Sequence, residues 1–228
     1  MDHGEHPSPG LIETMRVREG RIPFLERHCA RLARSLAALG LPSPSRDVAA
    51  LVAPFADCGE AVLRVVVEAG RASVTVREVP KLEPPKVITA SGIHPGYPHK
   101  TTERAAFVSA AEEAIAAGAD DALLRSGDGW VTEGTVWNVF WWDGDELRTP
   151  SLELGILPGI GRARVLEIGP RAAREGRYRQ AALTGRSLFL TNAVRGVVPI
   201  AALDGQSVPA HPGTQELMAR FWPAPRTS

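Results

Sequence analysis

The chain has 228 residues, 44% of them hydrophobic and 23% charged, enough to bury a full core as one domain or two small ones. Its 26 Lys and Arg balance 26 Asp and Glu, and the arginines are scattered, which argues against a nucleic-acid surface. No apolar run approaches the roughly 20 residues of a membrane span, and two cysteines without a secretory signal read as free thiols of a cytoplasmic protein.

Residues 11–17 alternate as a strand does, and Glu19-Gly20 offers a turn into Arg21–Phe24, so the chain is expected to open with a hairpin. From Leu25 the period becomes that of a helix, with Leu25, Cys29, Leu32, Leu36 and Leu39 on one face and Gly40 as the stop. Residues 61–68 and 73–79 are Val-rich runs joined by Ala69-Gly70-Arg71, a second hairpin. The Pro80–Pro85 stretch is the expected joint, dividing the chain into domains 1–82 and 83–228.

Beyond the joint, Val87–Ala90 reads as a short strand, Ser91–His99 as a loop and Thr102–Ala117 as an Ala-rich helix closed by Gly118. Hairpins are expected from Ala122–Arg125 with Trp130–Thr132 and from Val139–Trp142 with Leu147–Thr149. A helix should begin near Gly159–Arg162 and break at Gly169-Pro170. Strands at Ser187–Leu190 and Val197–Ile200 and a helix at Thr214–Phe221 complete the chain. Turns link most strands and helices are interspersed, which predicts an α+β fold with largely antiparallel sheets.

Lysine is rare here: Lys81, Lys86 and Lys100 are the three, and the first two sit beside the joint as solvated charges. Lys100 stands between a Gly/Pro loop and a helix. An amine can lose its proton and attack a carbonyl, whereas a guanidinium stays protonated; the plain alternative is a surface lysine. Glu133, in Glu133-Gly-Thr-Val-Trp-Asn138, is a carboxylate at a strand end, or else simply solvent-facing. Leu157-Pro-Gly-Ile160-Gly161-Arg162 takes a Gly-rich turn into a helix, whose first N–H groups suit an anion. Arg31 lies next to the apolar face of its helix and can point inward or snorkel. One cofactor would use all four features. Pyridoxal phosphate has an aldehyde for a lysine, a phosphate for N–H groups and an arginine, and a ring nitrogen for a carboxylate.

Glu133, Asn138, Phe140, Leu147, Thr149, Leu157, Gly159, Ile160 and Arg162 follow the order and spacing of the class IV aminotransferase signature. From about Gly10 to Ile200 the chain resembles that family, the fold-type IV group of pyridoxal phosphate enzymes. Gly10-Leu-Ile-Glu-Thr-Met-Arg16 is similar to its G-x-F-E-T-x-R strand, and His28-x-x-Arg31-Leu32-x-x-Ser35 to its phosphate-gripping helix. Thr191-Asn192-Ala193 is similar to its late phosphate-contacting turn. The resemblance implies two small α/β domains joined by a Pro-rich linker, with Lys100 as the catalytic lysine that bonds the cofactor. It implies Glu133 as the ring-nitrogen partner, and Arg31, Asn138, Ile160, Gly161, Asn192 and Ala193 as further cofactor-binding residues. It also implies a homodimer acting on a small-molecule amine, without a metal.

Some positions depart from the family. Only Met1–Pro9 precede the Gly10 strand, so substrate-side residues carried there by relatives are expected to be missing or replaced. Gly161 stands where several relatives have threonine, so any phosphate contact there must come from the backbone. Thr101-Thr-Glu-Arg104 lacks the tyrosine that follows the lysine in branched-chain aminotransferases and resembles the 4-amino-4-deoxychorismate lyase-like branch. That branch implies release of pyruvate to give 4-aminobenzoate for folate. Amino-acid or amine transamination is the alternative, and a cofactor-binding protein without turnover is a third reading.

Overall fold

The computed structural model describes residues 9–81, 83–170 and 173–224; residues 1–8, ahead of the Gly10 strand, and Leu82 of the Pro-rich joint lie outside the described residues. The chain divides into two compact units. One runs through Pro80 and takes in His99–Glu103; the other comprises Lys81–Pro98 and the chain from Arg104 onward.

In the first unit, β1 (Leu11–Val17), β2 (Ala61–Glu68) and β3 (Arg71–Arg77) form an antiparallel sheet in that order. Alternation decides which face is covered: Leu11, Met15, Leu63, Val65 and Val67 share one core with Leu32 and Leu36 of α1 (Leu25–Ala38) and with Val48 and Val52 of the short α2 (Val48–Val52). The expected opening hairpin is cut to its Glu19-Gly20 turn, closed by Arg18 N–H to Arg21 O at 2.9 Å and Arg21 N–H to Arg18 O at 3.2 Å. Arg18 and Arg21 make a single bridge, and Phe24 enters α1 with φ 61°. Pro23 has no N–H to extend a ladder, and β1 pairs instead with β2, from Leu11↔Val67 to Val17↔Ala61. The buried stripe of α1 also turns from the apolar face expected. It contains His28, Arg31 and Ser35 beside Leu32 and Leu36.

His99–Glu103 lies along the free edge of β1. Ile12 N–H donates to Lys100 O at 2.7 Å, Thr102 N–H to Gly10 O at 2.8 Å, and Leu11 and Thr101 form a bridge. Thr101 and Thr102 are thereby committed to an extended pairing, which is why the helix expected from Thr102 begins only at Ala105.

The second unit contains two five-stranded sheets among the described residues. One carries β4 (Lys86–Ile93), β5 (Asp121–Arg125) and β6 (Val131–Gly134), bordered by β12 (Ala202–Leu203) and β13 (Gln206–Ser207). The other has the order β11 (Gly196–Pro199), β10 (Ser187–Asn192), β7 (Asn138–Asp143), β8 (Glu146–Pro150) and β9 (Arg174–Gly176). Most pairings are antiparallel, whereas β4 with β5, β4 with β12 and β8 with β9 run parallel. Val87, Leu123 and Val131 from one sheet meet Val139, Trp141, Leu188, Leu190 and Val198 from the other in a single core. Helix α3 (Ala105–Ala116) lies on β4 and β5 through Ala110 and Ala114, small side chains that allow close approach. Helices α4 (Ile160–Ile168) and α5 (Pro212–Arg220) complete the unit.

Gly155 ends the turn after β8 with φ 70°, and a Cβ there would lie 2.5 Å from the carbonyl carbon and oxygen of Gly96. Backbone meets backbone, so no side-chain rotation relieves the overlap. Gly155→Ala should therefore lower stability by about 1–3 kcal/mol, read as a fall in Tm. An unchanged Tm would show that the two turns tolerate separation.

Candidate active site

The first unit brings four of the relevant side chains together. Arg31 donates from Nε to Glu13 Oε1 at 2.8 Å and from Nη2 to Oε2 at 2.6 Å, the bidentate geometry that a guanidinium fork favours. His28 Nδ1 lies 2.6 Å from the same Oε2. Glu13, His28 and Arg31 are all buried. Burial pushes the Glu13 carboxyl up, but Arg31 and His28 outweigh it and hold it at about 2. Burial pushes His28 down, opposed by Glu13 and assisted by the positive charges of Arg31 and Lys100. Lys100 is half-buried and its backbone is pinned to β1. Glu13 had only its place in a strand motif to recommend it. Its partners His28 and Arg31 are one helical turn apart, a spacing that puts both on the same face.

In the second unit, Glu133 is the penultimate residue of β6 and is buried. His94 Nε2 donates to its Oε1 at 2.9 Å, Leu157 N–H donates to Oε1 at 2.9 Å, and Asn138 Nδ2 donates to Oε2 at 3.1 Å. Asn138 Nδ2 also reaches Leu157 O at 3.1 Å. Asn138 thus staples the turn before α4 to the carboxylate. The loop between Glu133 and Asn138 is shaped by a second buried carboxylate. Asp121 accepts from Thr135 N–H at 2.9 Å, Thr135 Oγ1 at 3.0 Å, Trp137 Nε1 at 3.0 Å and Ala122 N–H at 2.8 Å. Its pKa is raised by burial, against these hydrogen bonds.

Helix α4 opens at Ile160, and no side chain caps its first turn. Asn138 faces Thr191 in the β7–β10 ladder, so the carboxylate and the α4 entrance share one region of the unit. A Cβ on Gly161 would come within 2.7 Å of Thr191 Oγ1 and 2.8 Å of Asn192 Cα, so only glycine lets α4 lie this close to the turn. Asn192 Oδ1 accepts from Val194 and Arg195 N–H at 2.9 Å each and fixes that turn, in which Ala193 is buried. Thr191 Oγ1 is itself buried and has no hydrogen-bond partner. An orphaned hydroxyl beside an uncapped helix N-terminus is what a phosphate would satisfy. The residues present therefore fit pyridoxal phosphate. Thr191 is a donor that the motif reading passed over in favour of its two successors, because burial of a strand-end hydroxyl is not visible in sequence.

The family model for amino-transferase class IV matches residues 10–203. The chain belongs to the class IV aminotransferase family. Its members use pyridoxal phosphate. The aminodeoxychorismate lyase of Bacillus subtilis is 35% identical over 88 residues, 37% of this chain, and the match spans 30% of that relative's length. A Schizosaccharomyces pombe protein provisionally named aminodeoxychorismate lyase is 30% identical over 171 residues, 70% of this chain and 74% of its own. Among solved structures, a hypothetical aminotransferase from Mycobacterium tuberculosis in its pyridoxal phosphate-bound form superposes with a TM-score of 0.82 at 26% identity, covering 92% of this chain and 86% of its own. Other relatives carry branched-chain aminotransferase names. Among the described residues, no group of side chains could hold a metal ion and no helix is long and apolar enough to cross a membrane.

The Glu13 cluster of this family member has a pH signature. Glu13 titrates near 2 in the fold against an ordinary 4.5, so its contribution is complete above about 4.5 and is lost as pH falls towards 2. His28, with its pKa lowered from 6.5, resists a proton that the unfolded chain accepts, so it also costs stability as pH falls below 6.5. Urea midpoints measured against pH should therefore fall on the acid side. Glu13→Gln should flatten the arm below pH 4.5, and an unaltered slope would detach that arm from Glu13.

Proposed function

We propose that the protein is a pyridoxal phosphate-dependent lyase that converts 4-amino-4-deoxychorismate to pyruvate and 4-aminobenzoate, a step towards folate. What carries this reading over transamination is His99-Lys100-Thr101-Thr102, followed by Arg104 and by no tyrosine. The two lyase-named relatives support it. A homodimer in the cytoplasm acting on this small-molecule amine completes the reading.

When bound, the cofactor supplies an electron sink for the carbon bearing the substrate nitrogen. In this reading Lys100 would hold the cofactor's aldehyde, and its Nζ would be the base that takes the proton from the carbon bearing the substrate nitrogen. Loss of the neighbouring enolpyruvyl ether as pyruvate then leaves an aromatic amine. Glu133 would keep the cofactor's ring nitrogen protonated. Its Oε1 already accepts two hydrogen bonds, whereas Oε2 accepts one from Asn138 and has acceptor capacity left for a further N–H. Arg31, the N–H groups of Ile160 and Gly161, and the Asn192-Ala193 turn are assigned to the phosphate. Glu13 orients Arg31, and Asn138 acts through Glu133.

The second reading, a class IV transaminase, rests on the branched-chain aminotransferase relatives. Given aminodeoxychorismate, the lyase should release pyruvate and 4-aminobenzoate in equal amounts with no keto-acid co-substrate. A transaminase would instead lose its visible cofactor band on addition of an amino donor and recover it with a keto acid. That reversible bleaching, without pyruvate release, would reject the lyase and keep the cofactor.

Lys100→Arg keeps the positive charge but cannot bond an aldehyde. Borohydride reduction followed by peptide mapping should place the pyridoxyl group on Lys100 in the parent protein and on no residue of the variant. A label on Lys81 or Lys86 would overturn the assignment.

A further inference from the structure

His94 precedes the loop that leads to Lys100, and nothing in the sequence motif uses it. It is 4% exposed, with Nε2 2.9 Å from Glu133 Oε1. At the other side of the ring, Gly96 N–H donates to Nδ1 at 3.0 Å. An N–H can donate only to a nitrogen that carries a lone pair, so Nδ1 is unprotonated and the ring proton is on Nε2. Phe107 meets the ring edge-on, with centroids 5.4 Å apart and planes at 82°, which fixes the plane of the imidazole. Backbone, ring packing and burial together leave one orientation and one tautomer.

We propose that His94 is a positioning residue for Glu133: its Nε2–H engages Oε1 as a neutral donor and so presents Oε2 as the acceptor for a cofactor ring nitrogen. The proposal rests on the reading of Glu133 as the ring-nitrogen partner. The choice of a neutral donor has a physical reason. A lysine or arginine at this place would pair with the carboxylate as a full cation and weaken its hold on a proton at the ring. A neutral imidazole fixes the geometry and leaves the negative charge for that task. Leu157 N–H supplies a second donor to Oε1 in the same neutral manner, so both contacts that immobilise that oxygen come without charge.

Two measurements test this. In the apo protein labelled with 15N-histidine, the His94 signals, assigned by their loss in His94→Gln, should show a protonated Nε2 and an unprotonated Nδ1 at neutral pH. A protonated Nδ1, or a mixture of tautomers, would overturn the proposal. In the cofactor-loaded enzyme, His94→Leu should lower kcat by about tenfold or more, the loss of one hydrogen bond to a charged group. KM and cofactor retention should stay within about twofold. His94→Gln, whose amide nitrogen reaches about as far as Nε2, should recover most of the lost kcat. If Glu133→Gln keeps its turnover, the ring-partner reading falls and the proposal with it. If Glu133→Gln loses turnover while His94→Leu does not, the role of His94 alone is rejected. Should His94→Leu fail to fold, the labelled parent protein still decides.

Discussion

The hydrogen bonds that converge on Glu133 join three stretches of the second unit that are far apart in sequence. His94 follows β4, Asn138 begins β7 and Leu157 precedes α4, and each gives a donor to one carboxylate. A buried carboxylate without donors would be costly, so each stretch has one place in which the charge is satisfied. Asp121, at the start of the neighbouring strand β5, works in the same way. Its contacts to Thr135 and Trp137 shape the loop between Glu133 and Asn138, and so determine where both side chains leave the sheet. Each unit is thus organised around buried negative charge, held by neutral donors at Glu133 and by the Arg31 guanidinium at Glu13.

Much of this was readable from the chain. Alternation marks β1 and Val-rich runs mark β2 and, two residues late, β3, and the spacing from Glu133 to Arg162 points to the family that the chain belongs to. The α+β class and the antiparallel hairpins follow from turn chemistry, whereas the parallel pairings of β4 with β5 and β12 and of β8 with β9 have no such local mark. What escaped the reading is physically coherent. The leucines of α1 mark only part of its buried stripe: His28 and Ser35 are covered as well, and Arg31 takes the inward of its two expected orientations, since Glu13 on β1 makes polar burial possible. The opening hairpin was read from a good turn dipeptide. Pro23 and the left-handed Phe24 end that extension, and a partner more than 40 residues away wins the edge of β1. His94 and Asp121 give no local signal, because their importance lies in which atoms surround them after folding.

Gly161 shows how a departure from a motif can be structurally closed. The position has no room for a side chain, since a Cβ would press on Thr191 Oγ1 and on the backbone of Asn192. The hydroxyl that the helix entrance lacks at this position is found instead on the neighbouring strand, buried and without a partner. The bare glycine and the buried hydroxyl are two aspects of a single packing choice, in which α4 lies close to the turn and the strand supplies the polar group.

The return of His99–Glu103 to β1 bears on how this chain can be taken apart. The Pro-rich joint looks like a natural place to separate the halves, yet a fragment ending at Pro80 would lack the strip that pairs with Gly10 and Ile12. Its β1 would then present an uncovered edge of backbone donors and acceptors, a template for pairing with other chains. Synthesis from the ribosome meets the same condition. Until residue 103 has emerged, the first unit is short of its last piece, and the loop carrying Lys100 is therefore also the closing strip of the sheet beside it.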